Sequence, residues 1–375
     1  MTAVYLDFNA TAPVRPAARA AMNALLDRVG NPSSVHAAGR AARADLEKAR
    51  EAVAALVGVV PGSVTFTSGG TEASALAIES AVAARFERIL LGVTEHDAVW
   101  EAAHVTGLPV EVWPVDADGV ADLAWLDEAL ARPGRALVCL MLANNETGVI
   151  QPVAEAGAKV RAANGWLHVD AVQAAGKVII DFSALQADTL SLSAHKIGGP
   201  QGVGALVAGT RATLARRQHG GGQERGRRAG TENLPGIAAF GAAAREALAG
   251  LQALVAQAAW RDALQTRLET VGAIALGKDA DRLPQTLCVA SEDWPAETQV
   301  MIMDLGGVMI SAGAACSSGK VKPSRTVEAM GRPDLAPYSI RISGGWSSTE
   351  ADWIRAGDVW LEAQARRRPK IREVA

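Results

Sequence analysis

The stretch Thr189-Leu190-Ser191-Leu192-Ser193-Ala194-His195-Lys196-Ile197-Gly198-Gly199-Pro200 runs a strand-like segment into a glycine-rich turn, with a histidine and a lysine at the junction. A lysine at a strand end is well placed to be desolvated and to bond a carbonyl carbon as a Schiff base. Alone, a His-Lys pair before a glycine turn is an ordinary surface feature, so the neighbouring segments decide. Short apolar runs at Val64 to Thr67, Arg88 to Gly92, Val110 to Pro114, Ala136 to Leu142, Trp166 to Val169, Thr189 to Ser193 and Gly204 to Val207 alternate with Ala/Arg/Glu-rich stretches of helical spacing, such as Arg40 to Leu56 and Thr71 to Arg85. Several runs are continuously apolar, as strands covered on both faces are. The expected fold is α/β, with a mostly parallel seven-stranded sheet covered by helices.

Past about residue 235 the pattern changes to a long Ala-rich helical run, Ile237 to about Val271, expected to bridge two lobes. A strand-like segment (Gln285 to Val289), a Gly/Ser-rich loop (Ser311 to Gly319) and a closing helix follow, the helix opened by Ser347-Ser348-Thr349-Glu350, which has capping-box spacing. The expected division is a large domain over 15–250 and a smaller α+β domain built from 1–14 and 251–375. A length of 375 residues agrees with two lobes, at about 150 residues per domain. With 37 Lys+Arg against 40 Asp+Glu, the net charge of −3 speaks against a general nucleic-acid binder. An apolar share of 49% with 21% charged residues is that of a soluble globular protein. The N-terminus lacks a leader pattern and no apolar run is long enough to span a bilayer, so a cytoplasmic protein without a membrane segment is expected. Cys139, Cys288 and Cys316 are odd in number and far apart, which excludes a disulfide framework or a CxxC metal site and points to a reducing compartment.

Other strand ends supply what a lysine-bound aldehyde cofactor needs. His168-Val169-Asp170-Ala171-Val172-Gln173 places a carboxylate at the end of an apolar strand. Pyridoxal phosphate requires such an acid, to keep its pyridine nitrogen protonated, as well as a lysine for its aldehyde. Thr67-Ser68-Gly69-Gly70-Thr71-Glu72 runs a strand into a helix through a turn rich in N–H and hydroxyl donors, a place for a phosphate. It lacks the lysine of a P-loop, and Gly198 to Gly204 is not a dinucleotide fingerprint. His96 of Thr94-Glu95-His96 can stack on a planar ring and move protons. Asn144 and Asn145, after the run ending at Leu142, can bond a phenolic oxygen and a carboxylate or simply shape a turn. Taken singly each has a structural explanation. Together they fall at strand C-termini, where open α/β sheets bind ligands.

These motifs, with Gly220-Gly221-Gly222-Gln223-Glu224-Arg225-Gly226-Arg227-Arg228-Ala229-Gly230-Thr231-Glu232-Asn233, resemble in order and spacing the NifS/IscS-type cysteine desulfurases, within the class V aminotransferase group of fold-type I pyridoxal-phosphate enzymes. The resemblance runs from Tyr5 to the C-terminal helix. It implies that Lys196 is the Schiff-base lysine, Asp170 the partner of the pyridine nitrogen and His96 the ring-stacking acid/base. It also implies that Gln173 and Asn145 lie on the phenolic-oxygen side and that Gly70, Thr71, Ser193 and His195 hold the phosphate. Thr231 would reach the phosphate of the neighbouring subunit in a homodimer.

In Ser311-Ala312-Gly313-Ala314-Ala315-Cys316-Ser317-Ser318-Gly319-Lys320, small residues leave the thiol little apolar cover. By itself that context is as often incidental as reactive; the resemblance makes Cys316 the nucleophile that takes sulfur as a persulfide, with Cys139 and Cys288 left as core residues. Arg341 in Ser339-Ile340-Arg341-Ile342-Ser343 has the planar fork that grips a carboxylate. On its own it is an ion-pair residue, and the resemblance makes it the substrate clamp, with Asn145 as second contact. Ala194, Ala312, Ala314 and Gly344 depart from the pattern and affect loop shape alone. The basic run Gln223 to Arg228 is expected to shape the phosphate environment. The expected activity is conversion of L-cysteine to L-alanine with sulfur passed from Cys316 to an acceptor protein, in iron–sulfur cluster assembly. The alternative is a selenocysteine lyase or a class V aminotransferase acting on a small amino acid; a cofactor-free scaffold is disfavoured by Lys196, Asp170 and His96.

Overall fold

The computed structural model describes residues 3–313 and 323–367, so Cys316 lies outside the described residues, as does Ala314. The chain opens with a two-residue strand, β1 (Val4–Tyr5), followed by helices α1 (Pro16–Leu26), begun at a proline, and α2 (Ala37–Leu56). The wide sheet then forms from β2 (Val64–Thr67), β3 (Arg88–Gly92), β4 (Val110–Trp113), β5 (Ala136–Cys139), β6 (Trp166–Asp170), β7 (Thr189–Ser193) and β8 (Gly204–Ala208). All seven expected runs are strands; β5 spans Ala136–Cys139, and beyond it the Leu140 and Leu142 N–H groups still bond the His168 and Asp170 carbonyls. The order is β2-β8-β7-β6-β5-β3-β4, with β8 antiparallel to β2 and β7 and the other neighbours parallel. A parallel crossover takes roughly a dozen residues or more. The link between β7 and β8 is shorter and is spent on the turn that carries Lys196, so β8 returns antiparallel.

Helices α3 (Gly70–Ala83), α4 (Asp97–His104), α5 (Leu123–Leu130), α6 (Val153–Ala162) and α7 (Leu234–Ala249) cover the sheet. Alternate residues of β3 serve opposite faces: Leu90 packs with Val138, Leu167 and Phe240, and Ile89 and Leu91 pack with Ile78, Val99 and Trp166. Burial of both faces is what the continuously apolar strands anticipate.

The expected single helical run from Ile237 to Val271 is instead three helices, α7, α8 (Leu251–Val255) and α9 (Gln257–Glu269). Gly250 ends α7, its N–H returning to the Glu246 carbonyl; glycine is the weakest helix former here after proline. The second lobe continues with β9 (Ile274–Ala275), β10 (Thr286–Ala290), α10 (Ala296–Leu305), β11 (Val308–Met309), β12 (Ser311–Ala312), α11 (Arg325–Ala329), β13 (Ser339–Ser343) and α12 (Glu350–Arg367). Strands β12-β13-β10-β9 form an antiparallel sheet, and β1 pairs with β11. Ser311 and Ala312, expected as loop, are therefore a strand. The helix cap also sits two residues later than expected: Asp352 Oδ2 accepts the Thr349 N–H at 2.8 Å and its hydroxyl at 2.9 Å. The second core unites Leu6 with Leu268, Leu287, Met303, Ile340 and Trp353, so the chain start and the C-terminal third build it jointly.

The run Gln223 to Arg228 is tied to β2 and to the start of α3. Glu224 is buried and receives Arg50 Nη1 at 2.7 Å, Arg50 Nη2 at 2.8 Å and the Phe66 N–H at 2.9 Å, while Arg228 pairs with Glu72 at 2.9 Å. Its job in this chain is to clamp β2 and the start of α3. Removing one member of a buried ion pair strands the other charge. Glu224→Gln is therefore expected to cost about 3 kcal/mol of stability, read as a lowered urea midpoint; an unchanged midpoint would contradict the pairing.

Candidate active site

A cavity of about 220 Å³ opens at the C-terminal edge of the wide sheet. Nine residues expected in the site line it: Gly70, Thr71, His96, Asn145, Asp170, Gln173, Ser193, His195 and Lys196. They come from the exits of β2, β3, β5, β6 and β7, which lie side by side only after β8 has been inserted between β2 and β7.

At one end, α3 starts at Gly70 after the extended Gly69. A Cβ on Gly70 would lie 2.8 Å from Val172 Cγ2, so glycine is what lets this helix start approach the exit of β6. Its unpaired backbone N–H groups and dipole favour an anion. The hydroxyl-bearing Thr71 and Ser193 and the His195 ring surround that place. His195 Nδ1 sits 3.1 Å from Thr11 Oγ1. Burial, helped by the charges of Lys196 and Lys177, lowers its pKa to about 4.

At the other end, Asp170 closes β6, and its Oδ1 accepts the Val172 N–H at 2.9 Å. Burial pushes this carboxyl above its ordinary range, while the Val172 N–H, His96 and Lys196 pull it back. His96 caps α4, its Nδ1 accepting the Ala98 N–H at 3.0 Å. The neutral ring therefore carries its proton on Nε2. Lys196 follows β7 in a short turn, and its Nζ donates to the carbonyls of Asn9 at 2.6 Å and Ala10 at 2.8 Å.

Arg341 stands on β13 of the smaller sheet and is 2% exposed. Its Nη2 meets Asp7 Oδ1 at 2.8 Å and its Nη1 donates to the Asn145 carbonyl at 3.1 Å, which brings it beside the cavity; Nε is buried without a partner among the described residues. Thr231 is exposed in the segment before α7 and does not line this chain's cavity. Cys139 and Cys288 are buried and unpaired, their thiols pushed up by burial, Cys288 to about 12.

Three residues have no part in the sequence expectations. Asp7 holds Arg341, Asn9 receives Lys196, and Lys177 lies buried behind Gln173. Nothing in local spacing marks them: Asp7 and Asn9 stand in an unpatterned N-terminal segment and Lys177 in the turn after β6.

The donor set suits pyridoxal 5′-phosphate: an amine for the aldehyde, a buried carboxylate for the ring nitrogen, an imidazole with a fixed tautomer, and a helix start with hydroxyls for the phosphate. A model of the family described as "Aminotransferase class-V" matches residues 4–353. The chain belongs to the class-V aminotransferase family. Among its relatives, a cysteine desulfurase of Cereibacter sphaeroides is 44% identical over 370 residues, covering 96% of this chain and 95% of that protein. The cysteine desulfurase IscS of Dictyoglomus turgidum is 36% identical over 360 residues, covering 93% of this chain and 91% of its own. A solved NifS-like protein from Rickettsia africae superposes with a TM-score of 0.87 at 30% identity, covering 97% of this chain and 99% of that one. Family members of the NifS/IscS type thus share both the chain length and the two-sheet architecture seen here.

His195 yields a pH prediction. Its folded pKa of about 4 lies below the ordinary 6.5, so between these values the unfolded chain binds a proton that the folded chain does not, and stability falls as pH is lowered through that window. His195→Gln is expected to lessen this acid-side loss in thermal unfolding of the cofactor-free protein. The His195 ring, followed by NMR, should titrate near 4; a midpoint at the ordinary value contradicts the packing described.

Proposed function

We propose that this class-V family member is a cysteine desulfurase that binds pyridoxal 5′-phosphate at Lys196, moves the sulfur of L-cysteine onto Cys316 and releases L-alanine. The observation that supports it most is the meeting of the Lys196 amine and the Asp170 carboxylate in one cavity beside the buried Arg341 fork, in a chain 44% identical to a cysteine desulfurase. In balance, L-cysteine and the Cys316 thiol become L-alanine and the Cys316 persulfide: the substrate C–S bond breaks, an S–S bond forms, and the carbon keeps the electron pair and gains a proton.

Bound in the cavity, the cofactor supplies an electron sink that makes the substrate's α-hydrogen acidic and its C–S bond labile. The α3 start, Thr71, Ser193 and His195 hold the phosphate, and the proton-poor His195 leaves room for hydrogen bonding without a permanent charge. Asp170 pairs with the protonated ring nitrogen, whose positive charge would offset the upward push of burial on the carboxyl. Arg341, with Nε unpartnered among the described residues, takes the substrate carboxylate, and Asn145 adds a second contact. Lys196 Nζ removes the α-proton and His96 delivers one from Nε2, a division of acid and base roles that its capping bond imposes.

The same reading takes in a homodimer with Thr231 reaching the neighbour's phosphate, a domain division at 14/15 and 250/251, a cytoplasmic location, and an acceptor protein of iron–sulfur cluster assembly. No helix among the described residues is long and apolar enough to cross a membrane.

Cys316→Ala is expected to lower sulfide release from L-cysteine at least about 100-fold while the visible band of the loaded enzyme persists. Retained release would remove Cys316 from its role. Lys196→Ala should abolish the band that borohydride reduction traps on the protein, checked by mass of the labelled peptide; labelling elsewhere in the wild-type chain would overturn the assignment of Lys196.

A further inference from the structure

Lys177 has no part in the chemistry above, yet it is 5% exposed and lies beside the site. Its Nζ donates to Gln173 Oε1 at 2.7 Å and Asn9 Oδ1 at 3.1 Å. Among the described residues no carboxylate pairs with it, and the charges that act on it are the cations Lys196 and Arg341. The titrating group His195 is itself pushed down by burial and by both lysines. Burying an amine among cations is unfavourable, and burial lowers its pKa well below the ordinary lysine range.

What this costly placement provides is an orientation. An amide side chain has two ends of nearly equal shape and opposite bonding. With Lys177 donating to both oxygens, Gln173 turns Nε2 the other way, where it donates to the Asn9 carbonyl at 2.9 Å and borders the cavity. Asn9 likewise sends Nδ2 to the Asn145 carbonyl at 3.2 Å and Thr286 Oγ1 at 3.0 Å. Turned over, Gln173 would set an oxygen against the Asn9 carbonyl and an N–H₂ group against the amine. The Asn9 carbonyl is also the atom that receives Lys196 Nζ, so an error in either amide is felt at the reactive amine.

We propose that Lys177 is a positioning residue that locks the amides of Gln173 and Asn9, so that Gln173 presents a donor, and never an acceptor, to the phenolic-oxygen side of the cofactor. The inference rests on the functional reading above. A donor at that oxygen stabilises its anionic form. Losing it raises the pH at which the visible band of the loaded enzyme changes, and loss of any positive charge on Lys177 acts in the same direction.

The test is a spectroscopic pH titration of the enzyme loaded with pyridoxal 5′-phosphate. Lys177→Met is expected to raise the midpoint by about 0.5 pH unit or more. Gln173→Leu should shift it in the same direction, and the double variant should move no further than the larger single shift, because both remove the same donor. If Lys177→Met does not fold, Lys177→Gln preserves a polar head that no longer excludes the turned amide, and the same rise is expected. An unmoved midpoint in a folded Lys177 variant, or fully additive shifts in the double variant, overturns the role of Lys177. A wild-type chain that develops no visible band with the cofactor overturns the functional reading itself, a different and separately visible result. A residue that merely supports the fold would lower thermal stability and leave the midpoint in place.

Discussion

The backbone carbonyl of Asn9 is the point on which the two lobes and the site depend. It accepts the Lys196 amine at 2.6 Å and the Gln173 amide at 2.9 Å, while the Asn9 N–H reaches Ser343 Oγ and its side chain reaches Thr286 and Asn145. Ser343 and Thr286 belong to the smaller sheet, whereas Gln173 and Lys196 leave the wide one. One buried residue of the chain start is therefore bonded to both sheets at once. A buried polar residue is stable when every group finds a partner, and here the partners are the elements whose mutual placement makes the cavity.

The strap around Asn9 also joins the proposed substrate clamp to the proposed cofactor site. Asp7 holds Arg341 and accepts the Ser311 hydroxyl at 2.8 Å, Thr11 meets His195, and the Ala12 N–H bonds the His195 carbonyl. An Arg341 on β13 would otherwise be a cation on a separate lobe with no fixed relation to the wide sheet. The ionic and hydrogen-bonded strap supplies that relation at short range, where such bonds hold orientation best.

Much of this was legible in the residues. The continuous apolarity of Leu137 to Cys139 or Ile89 to Leu91 follows from burial on both faces, and a run of strands alternating with helices has few solutions other than a parallel sheet. Lys196, Asp170 and His96 were recognisable because each ends an apolar run, and strand ends converge on one edge. The helical stretch after Ile237 was misread as continuous because alanine propensity masks a single stop at Gly250. The role of Glu224 was not legible among the three arginines that follow it, because its partners, Arg50 and the Phe66 N–H, lie 158 or more positions away.

Asn9, Asp7 and Lys177 could not be placed from spacing, since the side-chain partners of Asn9 and Asp7 lie 136 or more positions away and Lys177 meets Gln173 in a turn with no periodic signature. By itself the sequence determined which segments become strands, that their ends carry an amine, a carboxylate, an imidazole and a phosphate-binding helix start, and the family to which these motifs point. Tertiary structure alone decided which of these ends face one cavity, that Arg341 is buried against Asp7, and which way the amides of Asn9 and Gln173 turn. The physical reason is that apolar periodicity is a local consequence of burial, whereas hydrogen-bond partners are chosen by distance in space, which the chain order leaves open until the lobes have packed.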